Sequence, residues 1–245
     1  MADANLADVV EQLAPTGELR AAINLANELL VTDRAPDGEP VGVAPDMARA
    51  IADELGVPVR YVSYNKSSEL ADAVTSGSWD IGLIGAEPQR AEHIGFTKAY
   101  VEIEATYLVH ASSDLRRPED VDAPGRRITV TERTAYGLWL DRNIKQAELI
   151  HATDFESTFQ QFVRQKLDAL AGLRFRLVQD ADRLAGSRVL DGRFTAVQQA
   201  IGTPIAHARA LDFLAGFVDR AKASGFVADL ITKHGANGLS VAASD

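Results

Sequence analysis

The sequence contains no cysteine. Disulfides, thiolate catalysis and cysteine-ligated zinc or iron–sulfur centres are therefore excluded, although a cysteine-free chain works in either redox compartment. No stretch approaches the roughly 18 consecutive apolar residues of a membrane-spanning helix, so no membrane insertion is expected. Basic side chains are in the minority: 25 Lys and Arg stand against 35 Asp and Glu, a formal net charge of −10. A chain of that sign repels phosphate backbones and anionic lipid, which argues against nucleic acid as a partner. Catalytic signatures are missing too. There is no GxSxG elbow, P-loop or GxGxxG, and His93, His110, His151, His207 and His234 are scattered, with none in HExxH or another metal-ligand spacing. Neither a metal nor another cofactor is expected. The opening MADANLADVVEQLAPTG is acidic and lacks a basic n-region and an apolar h-region, so it does not read as a signal peptide. Export after removal of a leader and residence in the cytoplasm both stay open.

What is present is a chain able to fill one large core or two smaller ones, with 245 residues of which 46% are hydrophobic. Leu6, Val9, Val10 and Leu13 recur at helical spacing and predict a short amphipathic helix that ends before Pro15. Leu19 to Leu25 reads as a buried strand, and DRAPDGEP as a hairpin or loop around its Asp-Gly pair. From Pro45, DMARAIADELG places Met47, Ala48, Ile51 and Leu55 on one helix face with Gly56 at the C-cap. VPVRYVSY, KSSELADAVTSG and WDIGLIG continue as strand, helix and strand. That alternation implies right-handed crossovers and a mostly parallel sheet. After a long strand through Tyr107 and a turn-rich linker, RRITVTE, TAYGLWLDRNI, AELIHA, DFESTFQQFVRQ and LDALAGL repeat the alternation. Two helices, Pro204 to Ser224 and Gly225 to His234, are expected next, and the small polar residues after Gly235 are expected to fray.

The most informative stretch is Trp79 to Val109, where a strand delivers Arg90 through an EPQR turn to a strand end. An arginine there suits the holding of a small anion. Two alternating units further suggest two lobes with a ligand cleft.

In order and spacing, GELRAAIN, GEPVGVAPDMARAIADELGVPV, SELADAVTSGSWD, EPQRAEHIGFTKAY, RRITVTERTAYGLWL, QKLDALAG and ASGFVADLITKHG resemble a type II periplasmic solute-binding protein of the polar amino-acid ABC-transporter branch, solute-binding protein family 3. The resemblance runs from about Gly17 to Gly235. It implies an α/β, two-lobed periplasmic-binding-protein-like fold, each lobe a mostly parallel sheet flanked by helices. Lobe 1 would hold residues 1–107 and 200–245, lobe 2 residues 108–199, with hinge strands near Val101 to Val109 and Thr195 to Gly202. It also implies binding of a carboxylate-bearing solute with closure of the lobes, a possible ABC permease partner, a monomer, and a periplasmic location.

Site residues carry over one at a time. Arg90 matches the arginine that pairs with the ligand carboxylate, a role suited to a planar guanidinium. Glu87 stands where the family usually has threonine, and either faces Arg90 or a ligand cation or points into water. Gly85 lies where backbone groups meet the ligand. In TERTAYGLW, Thr134 matches the helix-capping carboxylate binder, Arg133 replaces the usual glycine, and Tyr136 sits in the first helical turn. A plain N-cap remains the alternative for Thr134. Leu173 occupies the place of the aspartate that receives an α-ammonium, so that anchor is absent. Glu104, with Glu102 on the same strand face, offers a replacement carboxylate or a solvated edge. Asn24 and Asn27 either line the cleft or bond within their own turn. Asp46 and Asp80 read as structural. A cytoplasmic sensor or scavenger, and a cyclohexadienyl-dehydratase-like enzyme using Glu87 or Glu104 as acid, are the competing functions.

Overall fold

The computed structural model describes residues 6–243. By contact it divides into two units: the chain up to Glu102 with the chain from Gln198 onward, and Ile103–Val197. The divisions fall within two ten-residue strands.

The first unit opens with α1 (Leu6–Leu13), which buries Val9 and Leu13. β1 (Leu19–Asn24) follows, then a small hairpin of β2 (Asp33–Arg34) and β3 (Pro40–Val41) turning at Asp37-Gly38. α2 (Val43–Leu55) begins two residues before Pro45, which sits in the first turn, where its missing N–H costs nothing. Val43, Met47, Ala48, Ile51 and Leu55 form its buried face, and Gly56 ends it in the left-handed conformation, φ 71°. β4 (Val59–Tyr64), α3 (Ser67–Asp72) with a 3-10 turn to Ser76, β5 (Ile81–Gly85) and β6 (Ile94–Phe96) complete this half. All five residues of β5 are buried, as expected for a parallel strand covered on both faces.

β7 (Val101–His110) leads into the second unit: β8 (Arg127–Thr131), α4 (Ala135–Asn143), β9 (Glu148–Ala152), α5 (Phe155–Gln165), β10 (Ala169–Leu173), α6 (Arg174–Arg183) and β11 (Ser187–Val189). β12 (Thr195–Pro204) returns the chain to the first unit, which ends with α7 (Ala208–Ala223), α8 (Phe226–Lys233) and β13 (Leu239–Val241).

In the first unit β1 lies parallel to β4 and β5, and β12 runs antiparallel to β5 and β6. Ala22, Leu70, Val74, Trp79, Ile84 and Ile94 pack on it, and the Trp79 indole donates to Leu70 O at 3.0 Å. In the second unit β10, β8 and β9 are parallel, while β7 runs antiparallel to β10 and β11. Its core joins Leu108, Phe159, Phe162, Leu167, Leu170 and Leu177.

Two expectations are corrected. Among the described residues after Gly235, Leu239–Val241 form β13, Ala236, Leu239 and Ala242 are buried, and Ala242 N–H donates to Tyr100 O at 3.1 Å. The first of the two closing helices, α7, starts at Ala208 rather than Pro204, because β12 carries strand pairing through Pro204, opposite Ile94. α6 has no counterpart among the elements expected from the sequence. That helix starts directly at the end of β10 with no intervening turn, and its charged residues break the apolar period.

Candidate functional site

The register of the first unit sets Asn24 beside Tyr64 and Ile23 beside Leu83, so Asn24, Tyr64 and Gly85 end their strands at the same carboxyl edge. In parallel α/β sheets this edge is where ligands bind. Past Gly85 the chain turns through Glu87 and Pro88 into a single 3-10 turn at Arg90–Glu92. Arg90 N–H donates to Glu87 O at 2.9 Å, and that bond closes the turn.

Arg90 is a buried cation, 7% exposed. Its Nη1 donates to Gly85 O at 2.7 Å and its Nη2 to Ser67 Oγ at 3.1 Å. Those bonds hold the guanidinium against the end of β5 and the start of α3. Burying a charge is costly without such partners, so its retention here points to use. Glu87 is also buried, 8% exposed, and lies three residues from Arg90 on the same turn. Ser67 was not singled out in the sequence. Its only signal was its position in the first turn of α3, on the strand-to-helix connection that leaves β4.

Asn24 and Asn27 are engaged in their own turn. Asn24 Oδ1 accepts from Ala26 N at 3.2 Å, and Asn27 Oδ1 from Leu29 N at 3.3 Å. Tyr64, unremarked in the sequence, brings an aromatic ring to the same strand edge, and burial raises its phenol pKa.

In the second unit the carboxyl edge gathers Thr131, Leu173 and Glu104, since Leu173 pairs with Ala105 and Leu170 with Thr129. Arg133 adopts φ 56°, the left-handed region in which glycine is at ease. Thr134 is the N-cap of α4: its Oγ1 accepts from Gly137 N at 3.1 Å and donates to Thr131 O at 2.8 Å. Gly137 permits this closure, because a Cβ there would lie 2.8 Å from Thr131 O. Tyr136 is buried, 5% exposed, and burial raises its pKa against bonds to Thr131 and Thr134, so the phenol is neutral.

Glu104 is held by cations of its own unit. Arg174 Nε donates to Glu104 Oε2 at 2.8 Å, and Arg193 approaches Oε1 at 3.9 Å. Arg174 also donates to Leu190 O at 3.2 Å and to Gly192 O. An arginine in the first turn of α6 opposes the helix dipole, and Glu104 offsets it.

Asp80 and Asp46 sit in ion pairs inside the first unit. Asp80 accepts from Arg20 N, Nε and Nη2 at 2.9, 2.9 and 2.6 Å. Asp46 meets Lys233 and His234, each at 2.7 Å. Among the described residues no group of three or more His, Cys, Asp or Glu is placed to hold a metal ion, and no helix is long and apolar enough to cross a membrane.

Comparison with solved structures gives the fold. A variant of ArgBP from T. maritima superposes with TM-score 0.72 at 18% identity, covering 94% of this chain and 100% of that one. AbpA from Streptococcus pneumoniae, an amino acid ABC transporter substrate-binding protein bound to L-arginine, gives 0.72 at 17%, covering 91% and 97%. The ancestral amino acid-binding protein AncCDT-1, a precursor of cyclohexadienyl dehydratase, gives 0.72 at 20%, covering 91% and 97%. No curated protein sequence matches the chain. The fold is therefore the two-lobed type II periplasmic-binding-protein fold. The profile of the bacterial extracellular solute-binding proteins, family 3, matches residues 31–237, more than four fifths of the sequence, and the chain belongs to that family.

Proposed function

We propose that this protein binds a small carboxylate-bearing solute, an amino acid or a related organic acid, outside the cytoplasmic membrane and hands it to an ABC permease. The observation that carries this reading is the buried Arg90 guanidinium, fixed by Gly85 O and Ser67 Oγ at the carboxyl edge of its sheet. A fixed, desolvated guanidinium is suited to paired hydrogen bonds with a carboxylate. The Thr134 turn contributes helix-terminal N–H groups of the same preference. Similarity to the arginine-bound AbpA supports an amino acid among the candidates.

A binder is favoured over a dehydratase-like enzyme because Glu104 is already committed to Arg174 and Arg193. Incubation with prephenate or arogenate is expected to release no product.

The test is a thermal-shift and calorimetric screen of amino acids, dicarboxylates and aromatic acids, since a ligand that binds the folded state raises its stability. Arg90→Ala is expected to weaken the best hit by roughly 100-fold or more, the loss that follows from removing one partner of a desolvated charge pair. Unchanged affinity in that variant refutes the assignment.

A further inference from the structure

A second recess, of about 200 Å³, lies wholly within the second unit, and Tyr107, Glu119, Asp122, Trp139, Arg193 and Phe194 are among its lining residues. Three of these residues form a continuous aromatic wall. The Tyr107 and Phe194 rings are 4.6 Å apart, and Phe194 and Trp139 are 5.4 Å apart. Two carboxylates face the same space. Asp122 is fixed there by the backbone N–H groups of Lys145, Gln146 and Ala147, at 2.8 to 3.2 Å. Burial opposes its charge, but those three donors outweigh it and keep the carboxyl ionised. Glu119 is exposed, and among the described residues its carboxylate has no ion-pair or hydrogen-bond partner. The one cation of the lining, Arg193, approaches Glu104 at 3.9 Å.

We propose that this recess is a second binding site, selective for a small organic cation, a guanidinium or alkylammonium group seated against Trp139 and Phe194 with Glu119 and Asp122 at its charge. Aromatic faces attract cations through their ring quadrupole, and fixed carboxylates add to that attraction. Size sets the class of ligand. Sites for drug-sized molecules span about 300–1,000 Å³, so this smaller recess accepts a head group rather than a whole large metabolite. The reading is independent of Arg90, which belongs to the other unit.

The experiment follows the indole N–H signals of Trp79 and Trp139 by NMR while tetramethylammonium chloride is added to the full-length protein. Sodium chloride at matched ionic strength and tert-butanol, a neutral isostere, serve as controls. The expected result is a saturable shift of the Trp139 signal with tetramethylammonium alone, with the Trp79 signal unmoved. Glu119→Gln is expected to weaken the titration at least about 3-fold, and Phe194→Leu to abolish saturation; a retained cooperative urea transition of Trp139 fluorescence checks that the second unit of each variant is folded. Arg90→Ala is expected to leave it unchanged. An N-acetyl-lysine-amide arm identifies the source: tighter binding than tetramethylammonium marks a protein side chain as the occupant, weaker binding a free small cation. Absence of saturation, an equal response to tert-butanol, or an unaltered titration in Glu119→Gln overturns the proposal.

Discussion

Replacing Asp80 with alanine removes the acceptor of three hydrogen bonds from Arg20 at once, one from its backbone N–H and two from its guanidinium. The surroundings decide the magnitude. The Asp80 side chain is 2% exposed and that of Arg20 is 17% exposed. Breaking a buried pair from one side strands the other charge, at a cost of about 3–5 kcal/mol. Asp80 also ties three strands together, since its N–H donates to Arg20 O and its carbonyl accepts from Thr203 Oγ1 at 2.9 Å. Those backbone contacts survive the substitution, so the loss belongs to the carboxylate. With a urea slope of about 2 kcal/mol per molar, the midpoint falls by roughly 2 M. The assay uses the two tryptophans, one in each unit: in a Trp139→Phe background the fluorescence of Trp79, adjacent to Asp80 and 1% exposed, reports the first unit alone. Asp8→Ala is the control. Its partner Arg209 is 62% exposed, and an exposed pair contributes about 0–1 kcal/mol. If Asp80→Ala moves the Trp79 midpoint no farther than Asp8→Ala, the stabilising role of the Arg20–Asp80 pair is wrong.

Other substitutions test the site and its supports. Arg90→Lys keeps the charge but not the planar fork, so binding of a carboxylate ligand weakens by about 10-fold, less than in Arg90→Ala, as calorimetry reads. Ser67→Ala removes the bond to Arg90 Nη2 while the bond to Gly85 O stays, and is expected to weaken the ligand by about 3-fold while barely changing the urea midpoint. Gly42→Ala places a Cβ 2.3 Å from Leu30 O at φ 153° ahead of α2, and is expected to cost about 2–3 kcal/mol in the same unfolding assay. Acid sensitivity follows from Asp46. Burial pushes its carboxyl up, but hydrogen bonds from Lys233 and His234 outweigh that and hold it below the ordinary carboxylate range. Its contribution is therefore complete above that range and is lost as pH falls through the depressed value. Asp46→Asn is expected to flatten this part of the acid decline in urea midpoints.

Most of the fold was legible because its signals are local. The face of Met47, Ile51 and Leu55 gave α2, Gly56 and Gly77 marked helix ends that need left-handed backbone, and the all-apolar β5 announced a strand covered on both sides. What failed was also local in cause. β13 is only three residues long, too short for a periodic pattern; it is held by where Leu239 and Ala242 are buried, which no local pattern encodes. α6 hid behind its charges, although Arg176 to Asp180 at i,i+4 and Asp180 to Arg183 at i,i+3 were the available helix signal.

Pairing across long sequence separations is what the sequence could not supply at the site. Arg90 was visible as a strand-end arginine, but Ser67 lies 23 residues away, and only the fold brings its Oγ to the guanidinium. Glu104 shows the consequence more sharply. By alternation along its strand it offered a carboxylate for a ligand cation, yet Arg174 lies 70 residues on and meets it at 2.8 Å. Together the two residues cancel, so neither a spare anion nor a spare cation reaches that strand edge from this pair. What that edge keeps is the N-terminus of α4 behind its Thr134 cap, the positive end of the helix dipole.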